Sequence, residues 1–342
     1  MGAYHESLLR EIRIFCSEYS GKKRLQSIFI GGGTPSTYPD QLLLDTFGTL
    51  KEVLCIDQKT EVTIEVNPGT VRPEQLAVWA SCGINRISVG VQSLNDTVLH
   101  SLNRLQSAAD VYRLLRELPV YFENISVDLI LGLPGVGDDE WRDLLATAVA
   151  WPITHVSLYF LTVHENTPLY FGVQKKRVTL PSDERMVGLY EWSIAFLAEH
   201  GFVQYEVSNF ARLGFESVHN AAYWQRTPYK GFGLGACSFD GVRRMQNTKN
   251  LSRYIEGKYE DFCEELSAEQ AWLELLMLGI RQIKGISLDA ITAGLSCEKQ
   301  KYVHEQVQLL VHEGLVVLDN DRVCLTPRGL SLENEIVLRL SR

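Results

Sequence analysis

The sequence predicts an α/β protein with a mainly parallel sheet, from two observations on its first half. Short β-branched or apolar runs recur there, and segments with helical spacing of apolar residues separate them. Strands that alternate with helices form parallel sheets with right-handed crossovers. The chain has 342 residues and is 45% hydrophobic, which is enough apolar material for a large core.

Five runs are predicted to be strands, at residues 27–31, 61–65, 86–91, 125–131 and 155–161. Several of them are continuously apolar, as expected when both faces of a sheet are covered. Helical spacing is present around residues 42–54, 76–79, 111–115 and 141–149. Pro39, Pro73 and Pro181 lie where first helical turns are expected to begin.

Polar groups follow nearly every predicted strand: the segment 31–34, then Glu65, Gln92, Asp128 and Thr162. In a barrel, the carboxyl ends of the strands converge on one mouth, where sites are built. A doubly wound sheet would concentrate such groups at one switch point instead. The pattern favours an open or closed barrel over a doubly wound sheet without settling the choice.

The pattern changes after about residue 170. A long helix is predicted over 183–200 and a strand over 204–207, followed by an irregular stretch, 219–239, rich in glycine and aromatic residues. From residue 264, helices precede a hairpin-like pair of short strands, the order of a winged-helix-like module. We therefore predict three parts: a barrel-like part at 1–170, an α+β accessory region at 171–260 and the winged-helix-like module at 261–342.

Charge and hydropathy exclude several functions. The net charge of −9 argues against a nucleic-acid surface, because phosphate binding needs basic patches. No stretch approaches the roughly 18 consecutive apolar residues of a membrane span. The amino-terminal segment has the pattern of a charged helix and lacks the apolar core of a secretory signal. These features predict a cytoplasmic protein without a membrane span.

The seven cysteines are scattered along the chain, at positions 16, 55, 82, 237, 263, 297 and 324. They form no Cys-x-x-Cys pair, so the chain encodes no zinc ribbon or local iron–sulfur motif. Their odd number also argues against a disulfide framework. They are predicted to be reduced, mostly buried thiols.

Three features of the first half could bind a ligand. The glycines of the segment 31–35 let backbone groups approach a ligand closely, although a tight turn after a strand has the same sequence. Glu65 ends an apolar strand, where an unpaired carboxylate is rare. It would bind a ligand amine or hydroxyl, or else form a salt bridge with Arg86 or Arg104. Asp128, within another apolar run, suits the diol of a ribose.

A second candidate cluster lies in the irregular stretch. His219 begins the sequence His-Asn-Ala-Ala-Tyr-Trp, and Tyr229 and a glycine-rich segment follow. A histidine beside tyrosine and tryptophan could ligate haem iron or hydrogen-bond a large planar ligand. The alternative is a loop histidine with ordinary hydrogen-bond partners.

Several motifs occur in a fixed order and together resemble a known family: GGGTPS, EVNP, SVGVQS, Asn103-Arg104, DLILGLPG, YEVSNFA, HNAAYW and GFGLGACSF. The set is similar to that of the oxygen-independent coproporphyrinogen III oxidase family of radical S-adenosylmethionine proteins. The HNxxYW element favours its HemW branch of haem chaperones. The resemblance covers essentially the whole chain.

The resemblance implies a fold and a set of ligand-binding residues. The fold is a partial (β/α)6 radical-SAM barrel, its first strand absent here, with the accessory region and the carboxyl-terminal module. S-adenosylmethionine would lie at the strand ends, its methionine part at Gly32, Gly33 and Thr34. The rest of the implied set is Glu65, Gln92, Arg104, Asp128 on the ribose, Thr162 near the adenine, and His219 in the haem-binding element.

Three functions follow from the resemblance. The first is a haem chaperone that binds haem and S-adenosylmethionine and passes haem to an acceptor protein. The second is an enzyme that catalyses the anaerobic oxidative decarboxylation of coproporphyrinogen III to protoporphyrinogen IX. The third is a haem-binding scaffold without a cluster.

The sequence departs from the family at two places. Members carry a Cys-x-x-x-Cys-x-x-Cys motif that holds a [4Fe–4S] cluster; it is expected in a segment before Met1 and is not among these 342 residues. Without those cysteines the chain is not expected to assemble the cluster. Cys237 stands where members commonly have histidine, which weakens an assignment of haem ligation near that loop.

Overall fold

The computed structural model describes residues 1–17 and 24–342. In these residues the chain forms two compact units. The first unit comprises Met1–Ile28, Pro39–Thr60 and Ser217–Arg342, and the second comprises Phe29–Tyr38 and Glu61–Glu216. The three-part division at residues 170 and 260 stays a prediction.

Helices alternate with strands through the second unit, as the sequence predicts. The strands up to residue 211 are β1 (Ser27–Ile30), β2 (Glu61–Val66), β3 (Arg86–Gln92), β4 (Asn124–Leu131), β5 (His155–Phe160), β6 (Val203–Glu206) and β7 (Asn209–Ala211). The helices up to residue 199 are α1 (Gly2–Ser17), α2 (Asp40–Val53), α3 (Pro73–Cys82), α4 (Asp96–Ser101), α5 (Ala108–Glu117), α6 (Asp138–Val149), α7 (Pro168–Gln174) and α8 (Asp183–Glu199).

The first unit contains α1 and α2 together with all the elements beyond residue 216. Its helices beyond residue 216 are α9 (Val218–Trp224), α10 (Leu251–Ile255), α11 (Ala268–Ile280), α12 (Leu288–Thr292), α13 (Cys297–His312), α14 (Pro327–Leu330) and α15 (Glu333–Ser341). Its strands there are β8 (Cys237–Phe239), β9 (Arg243–Asn247), β10 (Glu260–Glu265), β11 (Ile286–Ser287), β12 (Val316–Asp319) and β13 (Arg322–Leu325).

The main sheet has the order β1-β2-β3-β4-β5-β7-β6. Strands β2 to β5 run parallel to one another, and β7 and β6 extend the β5 edge in antiparallel orientation. The first five strands lie side by side in sequence order, without the reversal that creates a switch point in a doubly wound sheet. This winding agrees with the α/β barrel-like prediction.

One detail of the strand prediction was wrong. The strands are not continuously apolar, since in β4 the buried Ile125, Val127 and Leu129 alternate with Ser126 and Asp128. Successive side chains of a strand point to opposite faces. One face of the sheet is therefore apolar and packed, and the other carries the polar side chains that form the candidate site.

The first unit contains two small sheets. Strands β10, β9 and β8 form one of them, in that order. The second has the order β11-β13-β12, and its β12–β13 hairpin pairs Val316 with Leu325, as the sequence predicts. The predicted irregular stretch 219–239 is more regular than expected. It contains β8, which pairs with β9, and most of α9. The Ser217 hydroxyl caps α9 by accepting the Asn220 N–H at 3.2 Å.

None of the helices in the described residues is both long enough and apolar enough to cross a membrane.

Candidate functional site

The glycine turn after β1 is open to ligands. Gly32 and Gly33 have φ of +79° and +65°, a conformation that favours glycine, and a Cβ added to either would meet no atom within 4 Å. The Gly32 N–H donates to a Glu65 carboxylate oxygen at 3.3 Å. Thr34 is exposed, and its carbonyl accepts the Thr37 N–H at 3.0 Å. Backbone groups of the turn thus border open space.

Glu65, at the end of β2, is a half-buried carboxylate. Burial raises its pKa, the hydrogen bond from Gly32 opposes that shift, and the nearby negative charge of Asp128 adds to it. One of the alternative partners expected from the sequence, Arg86, lies 4.0 Å from Glu61, measured from Nε to a carboxylate oxygen. A carboxylate whose pKa is raised by burial and by a neighbouring carboxylate favours a ligand that is cationic or donates hydrogen bonds.

Asp128, in β4, is the second carboxylate. The Ser88 hydroxyl lies 3.1 and 3.3 Å from its two oxygens, and Ser157 also donates to it. Burial raises the Asp128 pKa, and the positive charges of Arg86 and Arg104 oppose that shift. Arg104, which the sequence offered as an alternative partner of Glu65, is therefore close enough to Asp128 to affect its pKa.

Gln92 and Thr162 also lie at strand ends. Gln92 is buried with φ of +66°, at the point where the β3–β4 register shifts. Thr162 is exposed, two residues beyond β5. We call the set Gly32, Gly33, Thr34, Glu65, Gln92, Arg104, Asp128 and Thr162 the strand-edge site. All eight residues belong to the second unit.

The sequence interpretation missed the hydroxyl groups around Asp128. Ser88, Ser157 and Tyr159 lie on β3 and β5, and Ser157 hydrogen-bonds both Asp128 and Tyr159. Burial of the Tyr159 hydroxyl raises its pKa, and the negative charge of Asp128 raises it further. The period-two spacing of polar residues in these strands is the signal that could have identified them.

His219 belongs to the first unit, on α9. Its Nδ1 lies 3.1 Å from the Ser27 hydroxyl. Its ring meets that of Tyr223 edge-on, with centroids 4.9 Å apart, and Tyr223 meets Tyr229 in the same way at 4.8 Å. We call His219, Tyr223 and Tyr229 the α9 ring row.

A buried carboxylate, which the sequence interpretation also missed, fixes the segment that follows the α9 ring row. Glu11 of α1 accepts the Gly233 N–H at 3.0 Å, the Asn247 side-chain amide at 2.7 Å and the Tyr254 hydroxyl at 2.6 Å. The Lys230 ammonium lies 3.5 Å from it. Every partner is more than 200 residues distant in sequence, so no local pattern could have indicated this role.

The cysteines do not fit a [4Fe–4S] cluster. Such a cluster needs three or four thiolates in one place. Within residues 1–17 and 24–342 no group of three His, Cys, Asp or Glu side chains could hold a metal ion. The seven cysteines are free thiols, but Cys82 alone among them is buried, so the prediction of mostly buried thiols was wrong.

Comparison with known proteins places the chain in a family. Residues 2–148 match the model of the radical SAM superfamily, and residues 266–332 match that of the HemN C-terminal domain. The heme chaperone HemW of Lactococcus lactis is 32% identical over 338 residues, which are 98% of this chain and 88% of that protein. The chain belongs to the HemW family of the radical SAM superfamily.

Other relatives agree with this membership. The mitochondrial radical S-adenosyl methionine domain-containing protein 1 of Bos taurus is 40% identical over 94% of this chain and 76% of its own length. The coproporphyrinogen III oxidase (HemN) of Escherichia coli has the same fold, with a TM-score of 0.81, 23% identity, and coverage of 99% of this chain and 82% of that chain. The expected family and the partial radical-SAM barrel are both confirmed.

The strand-edge site fits S-adenosylmethionine, the cofactor that the superfamily implies. That molecule carries an ammonium, a sulfonium and ribose hydroxyls, all of which suit carboxylate partners. Glu65 and Asp128 supply two such partners, and the space beside Gly32 and Gly33 is open. The fit rests on the donor set and on this open turn.

Proposed function

We propose that this chain is a haem chaperone: it binds haem through the first unit and passes it to an acceptor protein. The observation that carries the proposal is the α9 ring row, in which His219 is oriented by Ser27 and flanked by Tyr223. A histidine whose ring is positioned by a hydroxyl and a neighbouring aromatic ring has the chemistry of a haem-iron ligand. The names of the bacterial relatives support the same function.

The strand-edge site is proposed to bind S-adenosylmethionine. Glu65 would meet the charged methionine part beside the glycine turn, and Asp128 would accept from the ribose. Gln92, Arg104 and Thr162 would complete the pocket. In the family, the bound cofactor supplies a 5′-deoxyadenosyl group when a cluster reduces it. In this chain, Ser88 and Ser157 orient Asp128 for that contact.

Chaperone activity is favoured over the oxidase because of the HNxxYW element that begins at His219, and the names of the bacterial relatives support the same choice. The test incubates the full chain with haem, separates it by gel filtration and measures the bound haem. About one haem per chain is expected, and haem that elutes apart from the protein would refute the proposal. A parallel anaerobic incubation with coproporphyrinogen III should yield no protoporphyrinogen, and formation of that product would favour the oxidase.

The place of action is proposed to be the cytoplasm. The mouse and bovine relatives, however, carry "mitochondrial" in their names. Fractionation of cells that express the tagged chain distinguishes the two compartments.

A further inference from the structure

One face of the β8–β9 hairpin gathers polar and aromatic side chains. Cys237 pairs with Gln246 and Phe239 with Arg244, so these four side chains point to the same face. The Gln246 amide nitrogen lies 3.4 Å from the Cys237 sulfur. Tyr229 joins this face, because its backbone exchanges two hydrogen bonds with Phe239, at 2.8 and 2.9 Å.

The face is continuous with the α9 ring row. Tyr229 ends the row that starts at His219, and it stands beside Phe239, with ring centroids 6.5 Å apart. Burial raises the pKa of the Tyr229 hydroxyl, and the positive charge of Arg244 is close enough to oppose that shift. A row of rings therefore leads from an imidazole at one end to a guanidinium at the other.

Arg244 has hydrogen-bonding capacity to spare. Its side chain is 50% exposed, and its Nη2 lies 2.8 Å from one carboxylate oxygen of Glu274. The other oxygen of Glu274 lies 3.3 Å from Nη2 of Arg226, which is more buried. Two guanidinium groups thus share one carboxylate. Glu264 is opposite Arg244 in the β9–β10 register, and its carboxylate accepts from Gln270 at 3.1 Å. A guanidinium has five N–H donors, so one ion pair leaves several for a second carboxylate.

We propose that Arg244, with the Tyr229 hydroxyl beside it, binds the propionate carboxylates of the tetrapyrrole that the α9 ring row holds. The proposal rests on the proposed haem binding and adds to it the group that recognises the acidic edge of the ligand. Paired N–H donors of a guanidinium match a carboxylate in geometry and charge. A hydroxyl that burial keeps protonated can donate to the same carboxylate.

The β9 strand offers a matched control. Arg243 is next to Arg244, is similarly exposed at 55%, and points to the opposite face, where its Nε lies 2.9 Å from Asp240. The experiment titrates the full chain and its Arg244→Gln, Arg244→Lys and Arg243→Gln variants with haem and with haem dimethyl ester, which lacks the carboxylate charges. Absorbance of the bound haem gives each dissociation constant.

The parent is expected to bind haem more tightly than the ester. Arg244→Gln should lose about tenfold in affinity for haem and little for the ester, because a charged hydrogen bond to the carboxylate is removed. Arg244→Lys should keep part of the preference, and Arg243→Gln should behave like the parent. A structural role alone would weaken both ligands equally in Arg244→Gln.

Two results would overturn the proposal while leaving haem binding intact. The first is a parent that binds haem and its ester equally well. The second is an Arg244→Gln variant that retains the preference of the parent for haem. A parent that binds neither ligand would instead overturn the proposed function, and this site with it.

Discussion

Replacing Glu11 by glutamine should loosen the segment 230–254 of the first unit while leaving α1 helical. The carboxylate accepts from a backbone N–H, an amide and a hydroxyl, and an ammonium lies 3.5 Å away. Glutamine keeps the size of the side chain and one oxygen. Its NH₂ group would face at least one of the N–H or O–H groups whose hydrogen bond the carboxylate now accepts. The negative charge beside Lys230 is also lost.

The magnitude follows from the number of hydrogen bonds lost. Hydrogen bonds to a charged group contribute about 1.5–3 kcal/mol each, and a donor left unsatisfied in a buried place costs about 1–3 kcal/mol. Glu11 is 3% exposed, so water cannot replace the lost partner. We expect Glu11→Gln to lower the local stability by about 2–4 kcal/mol and Glu11→Ala by about 3–5 kcal/mol.

Amide hydrogen exchange followed by mass spectrometry measures this effect where it occurs. A chain with two compact units need not unfold in one step, so a single melting curve would blur a local change. Exchange in peptides from residues 230–254 should be at least about thirtyfold faster in Glu11→Gln. Glu6→Gln, an exposed position on the same helix, is the control and should change nothing. Unchanged protection of this segment in Glu11→Gln would refute the reasoning.

Three further predictions concern the second unit. Glu65→Gln should abolish S-adenosylmethionine binding in calorimetry without lowering the melting temperature at pH 7. The melting temperature should not fall because burial raises the pKa of this carboxyl, so its charged form is unfavourable in the folded protein. A lower melting temperature would contradict this reasoning. Gly31→Ala should weaken the same binding, since a Cβ there would lie 2.6 Å from the Phe29 ring and 3.0 Å from a Glu65 carboxylate oxygen. Affinity equal to that of the parent would argue against the strand-edge site. His155 is buried between Ser126 and Tyr205, and burial lowers its pKa well below the usual range. Its contribution to the stability of the folded protein is therefore complete above pH about 6.5 and declines as the pH falls toward the pKa of the folded state. Melting temperatures between pH 7 and 5 should therefore fall more steeply in the parent than in His155→Gln, and parallel curves would exclude this origin.

The parallel part of the fold could be predicted because its elements carry strong periodic signals. β-branched runs gave β1 to β5 to within one residue at each end, and the helices between them have regular apolar spacing. The sheet formed by β8, β9 and β10 was not predicted. β8 is three residues long, and β9, with the sequence RRMQN, has no alternation of apolar and polar residues. Such strands form because their neighbours supply the hydrogen bonds, and that information is not local.

The candidate sites were predictable where a residue type was unusual for its place. Carboxylates within apolar strands identified Glu65 and Asp128, and a histidine beside aromatic residues identified His219. Ser88 and Glu11 escaped notice because serine is common in strands and an acid on a helix usually faces water. Their roles come from partners brought close by the tertiary fold.

A haem titration of the His219→Ala variant tests the central claim most directly. The control is His304→Ala, an exposed histidine on α13 in the same unit. The parent and His304→Ala should saturate at about one haem with the same absorption maximum. His219→Ala should bind more weakly, by about tenfold or more, with a shifted maximum, because the ring that Ser27 orients is gone. Equal affinity and an unchanged spectrum in His219→Ala would contradict haem binding at the α9 ring row.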